Sequence, residues 1–88
     1  MESVSNNALE AARAKLAEAE AKREALLLRH IANGVNIASR TVEIDEGVVI
    51  APGATILAGT ILRGNTVIGA GCVIGPNSLI EDSTVDEG

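Results

Sequence analysis

A six-residue repeat governs the second half of this 88-residue chain. Reading from Ile44, a bulky aliphatic returns at Ile50, Ile56, Leu62, Ile68, Ile74 and Ile80. Four places after each comes a small or β-branched residue: Val48, Ala54, Thr60, Thr66, Cys72, Ser78 and Thr84. Just before those stand Gly47, Gly53, Gly59, Asn65, Gly71, Asn77 and Ser83. All but the last are Gly or Asn, which accept a left-handed backbone at least steric cost. Neither a helical period nor simple strand alternation needs a turn residue every sixth place. A fixed repeat of this kind is the signature of a solenoid.

The geometry explains the residue choices. Each hexad supplies a short strand and a tight corner, and three hexads close one triangular coil. Large aliphatics fill the interior from the strand, and the small residue points inward beside the corner. Stacking puts Ile44, Leu62 and Ile80 in one column, with Ile50 against Ile68 and Ile56 against Ile74. Ala54 then lies next to Cys72 and Thr60 next to Ser78. Two coils, Ile44–Ile61 and Leu62–Leu79, are expected, followed by part of a third. Residues 35–43 supply a lead-in strand, with Val42 in the small-residue slot of an earlier hexad. The last residues, Val85 to Gly88, stop part-way round a coil, so an open C-terminal end is expected. Without Phe, Tyr or Trp, the aliphatic core is small for the backbone it must order. Oligomerisation, or a longer parent, is the expected remedy.

The first third of the chain reads differently. From Ser5 to Ala32 it is rich in Ala, Glu, Lys, Arg and Leu, all strong helix formers. Ser5 or Asn6 is placed to cap its start, and Asn33-Gly34 supplies a left-handed stop. Leu9, Ala12, Leu16, Ala19 and Leu26 follow a 3-4 spacing that Arg23 interrupts, the pattern of a short seam for a partner helix. The apolar residues crowd at the end, in Leu26, Leu27, Leu28 and Ile31. An arm that is exposed at first and docks near its C-terminus is the expectation. The domain organisation is thus a helical arm over 1–34 and a repeat domain over 35–88.

Charge narrows the partners. The formal net charge is −5. The arm holds five acids and five bases, so the whole excess lies in the repeats. A chain without a basic patch or aromatic stacking platforms is not expected to bind nucleic acid, nor an anionic membrane surface. Met1 to Asn7 lacks the apolar run of a secretory signal, and the single cysteine suits a reducing compartment. A cytoplasmic location is the expectation.

Four features together carry a family resemblance: the pair Asn6-Asn7, the stretch LAEAE at 16–20, the arm-ending Gly34-Val35, and LRGNTVIGAGCVIGPNSLIEDST at 62–84. They resemble the bifunctional bacterial N-acetylglucosamine-1-phosphate uridyltransferase and glucosamine-1-phosphate acetyltransferase. In that family a nucleotidyltransferase domain leads through a helical arm into a trimeric, left-handed parallel β-helix that carries acetyl transfer. The resemblance implies the left hand, which opposes the general rule for parallel crossovers. It also implies a homotrimer, and for the parent a role in UDP-N-acetylglucosamine synthesis with Mg²⁺ and acetyl-CoA. It covers the arm and first coils only. Asn6 resembles the family's Mg²⁺-binding asparagine, but the partner aspartate would lie upstream of Met1, so no metal site is carried over. Ile37-Ala38-Ser39 stands where the family has Asp-Pro, so the join between arm and coil is the part the resemblance does not define.

No residue is assigned a catalytic, cofactor-binding or metal-binding role. His30, the sole histidine, falls in the last turn of the arm, where the helix dipole favours a cation, and one histidine cannot build a His₃ zinc site. Cys72 falls in an inward slot and reads as a buried, inert thiol. Gly64, Gly69, Gly71 and Gly75 lack the following helix of a phosphate loop. Thr60, Thr66 and Thr84 fall in the inward slot, so they form no exposed threonine ladder. Glu81-Asp82 and Asp86-Glu87 read as a solvated rim. The expected fold is mainly β with one long N-terminal α-helix. The leading functional expectation is a trimerisation and assembly segment, inactive alone. Its alternatives are a fragment or relic of a hexapeptide-repeat sugar-phosphate acyltransferase or nucleotidyltransferase, and a stand-alone module that stacks on another β-helix.

Overall fold

The computed structural model describes residues 5–87. Met1–Val4 and Gly88 lie outside the described residues, so the polar start and final residue read from the sequence are described only in part. Helix α1 runs Asn6–Ala32, and the Ser5 side chain caps it by accepting from the Ala8 N–H at 3.2 Å. At the other end Gly34 takes φ 94°. Its N–H then reaches the Ile31 carbonyl, while the Val35 N–H reaches that of His30, both at 3.0 Å. This paired closure satisfies carbonyls the helix would otherwise leave free. It also turns the chain so that Val35 is buried.

Nine short strands follow. They are β1 (Asn36–Ile37), β2 (Glu43–Ile44), β3 (Val49–Ile50), β4 (Thr55–Ile56), β5 (Ile61–Arg63), β6 (Val67–Ile68), β7 (Val73–Ile74), β8 (Leu79–Glu81) and β9 (Thr84–Val85). Every third strand pairs in parallel, giving three sheets: β1-β4-β7, β2-β5-β8 and β3-β6-β9. This is a short left-handed parallel β-helix preceded by one helix. The expected columns form: Ile44 pairs with Leu62 and Leu62 with Ile80, Ile50 with Ile68, and Ile56 with Ile74. Val42, Ala54, Ile56, Leu62 and Ile68 are almost wholly shielded from solvent. The repeat therefore encodes one continuous interior in which like stacks on like.

The six-residue frame slips once at each end. Ile37 pairs with Ile56, so the first coil is one residue longer than the others. The extra residue lies between Ile37 and Ile44, within the join that the resemblance left undefined. There Ser39 and Thr41 bond to each other at 2.7 Å, and Thr41 Oγ1 accepts the Gly59 N–H at 2.9 Å.

At the other end Ile68 pairs with Val85, one residue earlier than the frame requires. The strict frame would have put Asp86 over Ile68. Shortening the corner puts an aliphatic there instead, which avoids burying an unpaired carboxylate. Thr84 is consequently not in the inward slot as expected. It pairs with Val67 and faces outward, and Ser83 approaches Thr66.

The left-handed residues also need correction in one corner column. Gly53, Gly59, Gly71 and Asn77 have positive φ as the frame requires. In the column between the β2 and β3 sheets, Gly64 (φ 66°) and Asp82 (φ 46°) take that role, one place early. Gly47 is needed there for a different reason: a Cβ would come within 3.0 Å of the Gly64 carbonyl oxygen.

Candidate functional site

The arm meets the coils only at their first turn, where α1 packs on β1 and β2. Its residues from Asn6 to Lys22 are all exposed, and Leu27 and His30 are its only buried side chains. Leu27 joins the same apolar cluster as Val35 and Val42, so the arm closes the upper end of the β-helix. Arg23 reinforces the junction through an ion pair with Glu43 at 3.6 Å. Both side chains are about half exposed, so this pair directs the arm more than it stabilises it.

His30 belongs to that junction. It is only 6% exposed, and its Nε2 is buried with no hydrogen-bond partner among the described residues. Burial, with a smaller contribution from the neighbouring Arg29 charge, pushes its pKa below the ordinary histidine value. The sequence placed His30 as a cation favoured by the helix dipole; desolvation outweighs that dipole, and the imidazole is held neutral. A concave surface beside it is lined by Arg29, Ala32, Asn33, Val48, Val49 and Ile50, none of them acidic. A histidine enclosed in this way is placed to pack and not to take a proton from a substrate.

The other chemistry-bearing residues are dispersed by the fold. Cys72 is buried, and its thiol donates to the Asp86 carbonyl at 2.8 Å. Thr60 and Thr66 both point inward and are fully buried. Thr66 Oγ1 donates to the Arg63 carbonyl at 2.7 Å, whereas Thr60 Oγ1 finds no partner among the described residues. The four glycines at 64, 69, 71 and 75 form no phosphate loop and belong to different corners. Gly64 follows β5, Gly69 and Gly71 lie between β6 and β7, and Gly75 follows β7. No group of three or more His, Cys, Asp or Glu residues comes together as a metal cluster among the described residues.

Two carboxylates do work that the sequence did not reveal. Asp45 Oδ2 accepts the Gly64 N–H at 3.0 Å, and Asp82 Oδ1 accepts the Asn65 N–H at 2.9 Å. With Thr41 on Gly59, they link corners of successive coils, where the strand ladder leaves N–H groups unpaired. Asp82 is thus a structural link as well as part of the acidic rim. A spacing of five from Ile80 to Val85, with Asp in the corner, was the available signal.

The outer faces are mixed, with exposed aliphatics set among polar strand residues such as Asn36, Glu43, Thr55 and Thr84. The outward strand residues Val49, Val73 and Leu79 are each at least 60% exposed. No helix among the described residues is long and apolar enough to cross a membrane. No curated protein and no solved structure matches the chain. Residues 47–82 match the family model described as bacterial transferase hexapeptide (six repeats), so these coils are similar to that hexapeptide repeat.

Proposed function

We propose that this chain is an assembly segment: the arm and first β-helical coils of a hexapeptide protein like the uridyltransferase–acetyltransferase that makes UDP-N-acetylglucosamine. In this reading it forms a homotrimer in the cytoplasm and performs no chemistry alone. The observation that carries the proposal is a filled aliphatic interior beside exposed aliphatics at outward strand positions Val49, Val73 and Leu79. Interior residues such as Ile56 and Leu62 are sealed by the coils themselves, while Val49, Val73 and Leu79 remain in solvent. A β-helix that leaves several aliphatics exposed on its outer strands is suited to packing against neighbours. The buried states of His30 and Cys72 fit a scaffold role, because neither presents a nucleophile or base to solvent.

The test is light scattering after gel filtration at micromolar concentration. The expected particle has three times the 9.0 kDa chain mass. A stable, folded particle of one chain mass would overturn the assembly reading. Acetyl transfer to glucosamine-1-phosphate by this chain would overturn the inactive-scaffold reading.

A further inference from the structure

The arm projects further than its contacts with the coils require. From Asn6 to Lys22 every position is exposed, and the first side chain to reach the coils is Arg23, through Glu43. In proteins most helical stability comes from packing an apolar face and not from propensity alone. The segment still carries a two-heptad apolar stripe of Leu9, Ala12, Leu16 and Ala19. Leu9 and Leu16 are 40% and 61% exposed, so no described residue encloses them. The next seam position is Arg23, which is committed to Glu43, so the stripe ends where docking begins.

The flanking charges select the occupant. With Leu9 and Leu16 as the first core position of each heptad, Lys15 and Lys22 lie on one flank and Arg13 and Glu20 on the other. A parallel neighbour of the same sequence brings Lys15 opposite Glu20 of the next heptad, an attractive pair. An antiparallel neighbour that sets Lys15 against Lys22, a repulsive pair, also sets Arg13 against Glu20, an attractive one, so its charges cancel where the parallel arrangement gains. We propose that Leu9–Ala19 is a parallel helical seam through which the arms of several copies of this chain pack together. The inference rests on the assembly reading and names one of its surfaces. The alanines at 12 and 19 admit close approach but bury little area, so the seam orients copies that the coils also hold.

The experiment compares full-length wild type with L16E, K15E, E20K and the double variant K15E/E20K, by sedimentation equilibrium and circular dichroism. Leu16 is exposed in the single chain, so its replacement spares the coils. L16E is expected to weaken association and reduce helical signal. Each single charge reversal is expected to raise the dissociation constant about 3- to 10-fold, and the double variant to recover it. If L16E assembles as tightly as wild type, the seam is wrong while the assembly reading stands. If wild type is monomeric, both fall. A double variant weaker than either single reversal would overturn the parallel orientation.

Discussion

Asp82 Oδ1 accepts the backbone N–H of Asn65 at 2.9 Å, and the same carboxylate lies directly over the α-carbon side of Gly64. A Cβ on Gly64 would overlap that carboxylate, and Gly64 itself has φ 66°. The two residues are therefore matched: the glycine makes room, and the aspartate links two coils while itself adopting φ 46°. Asp82→Ala removes the acceptor and leaves a β-carbon in a left-handed conformation without a compensating bond. It should cost on the order of 1–2 kcal/mol in urea unfolding. Asp82→Asn keeps an acceptor oxygen and tolerates the backbone, so it should lie close to wild type. Gly64→Ala should cost more than Asp82→Ala, because strain and overlap add. Equal midpoints for Asp82→Ala and wild type would refute the link.

The two buried threonines offer an opposed pair. Thr60 Oγ1 is buried with no partner, whereas Thr66 Oγ1 donates to the Arg63 carbonyl at 2.7 Å. Replacing either by valine keeps the shape and removes the hydroxyl. Thr60→Val relieves an unsatisfied group and should stabilise by roughly 1 kcal/mol, while Thr66→Val should destabilise by about the same amount. Thermal unfolding of the two variants reads the sign directly. The same sign for both would contradict the bonding pattern.

Most of the fold was legible because its rule is local and repeated. The aliphatic at every sixth residue predicts the columns Ile44–Leu62–Ile80, Ile50–Ile68 and Ile56–Ile74, and each forms. What escaped was non-periodic. The extra residue between Ile37 and Ile44 and the missing one between Ile80 and Val85 depend on which residue wins the core position. A rigid frame does not weigh Val85 against Asp86. The burial of His30 depends on how the arm folds back over the first coil, a contact between segments that no local pattern records. The stripe from Leu9 to Ala19 is legible in the spacing alone, and the structure adds that it stays exposed among the described residues.

Cys72 should behave as a core residue. Its side chain is 5% exposed, and its thiol is engaged with the Asp86 carbonyl. Reaction with a thiol reagent requires the last turn to open, so the native rate should be at least ~10-fold below that in denaturant. Monitoring the rate against urea concentration tests this. A native rate equal to the denatured rate would place the thiol at the surface.

His30 gives the junction a pH dependence whose sign follows from its burial. The folded-state pKa lies below the ordinary value of 6.5, chiefly from desolvation and secondarily from Arg29. The unfolded chain therefore binds more protons than the folded one once pH falls below that value. Stability attributable to His30 is full above it, declines as pH drops through the window, and levels off below the folded-state pKa. The contact that loosens is the seat of the arm, because His30 and Leu27 are the two helix side chains buried there. The hydrogen-exchange protection of Leu27–Ile31, with the pH dependence of intrinsic exchange divided out, should fall as pH drops below the ordinary histidine value, ahead of any change in the β4 and β7 strands. His30→Leu removes the titrating group and the unpartnered nitrogen together, so it should flatten that dependence and raise stability near pH 7. A histidine NMR titration at or above the ordinary value would reverse the sign and refute the buried, neutral assignment.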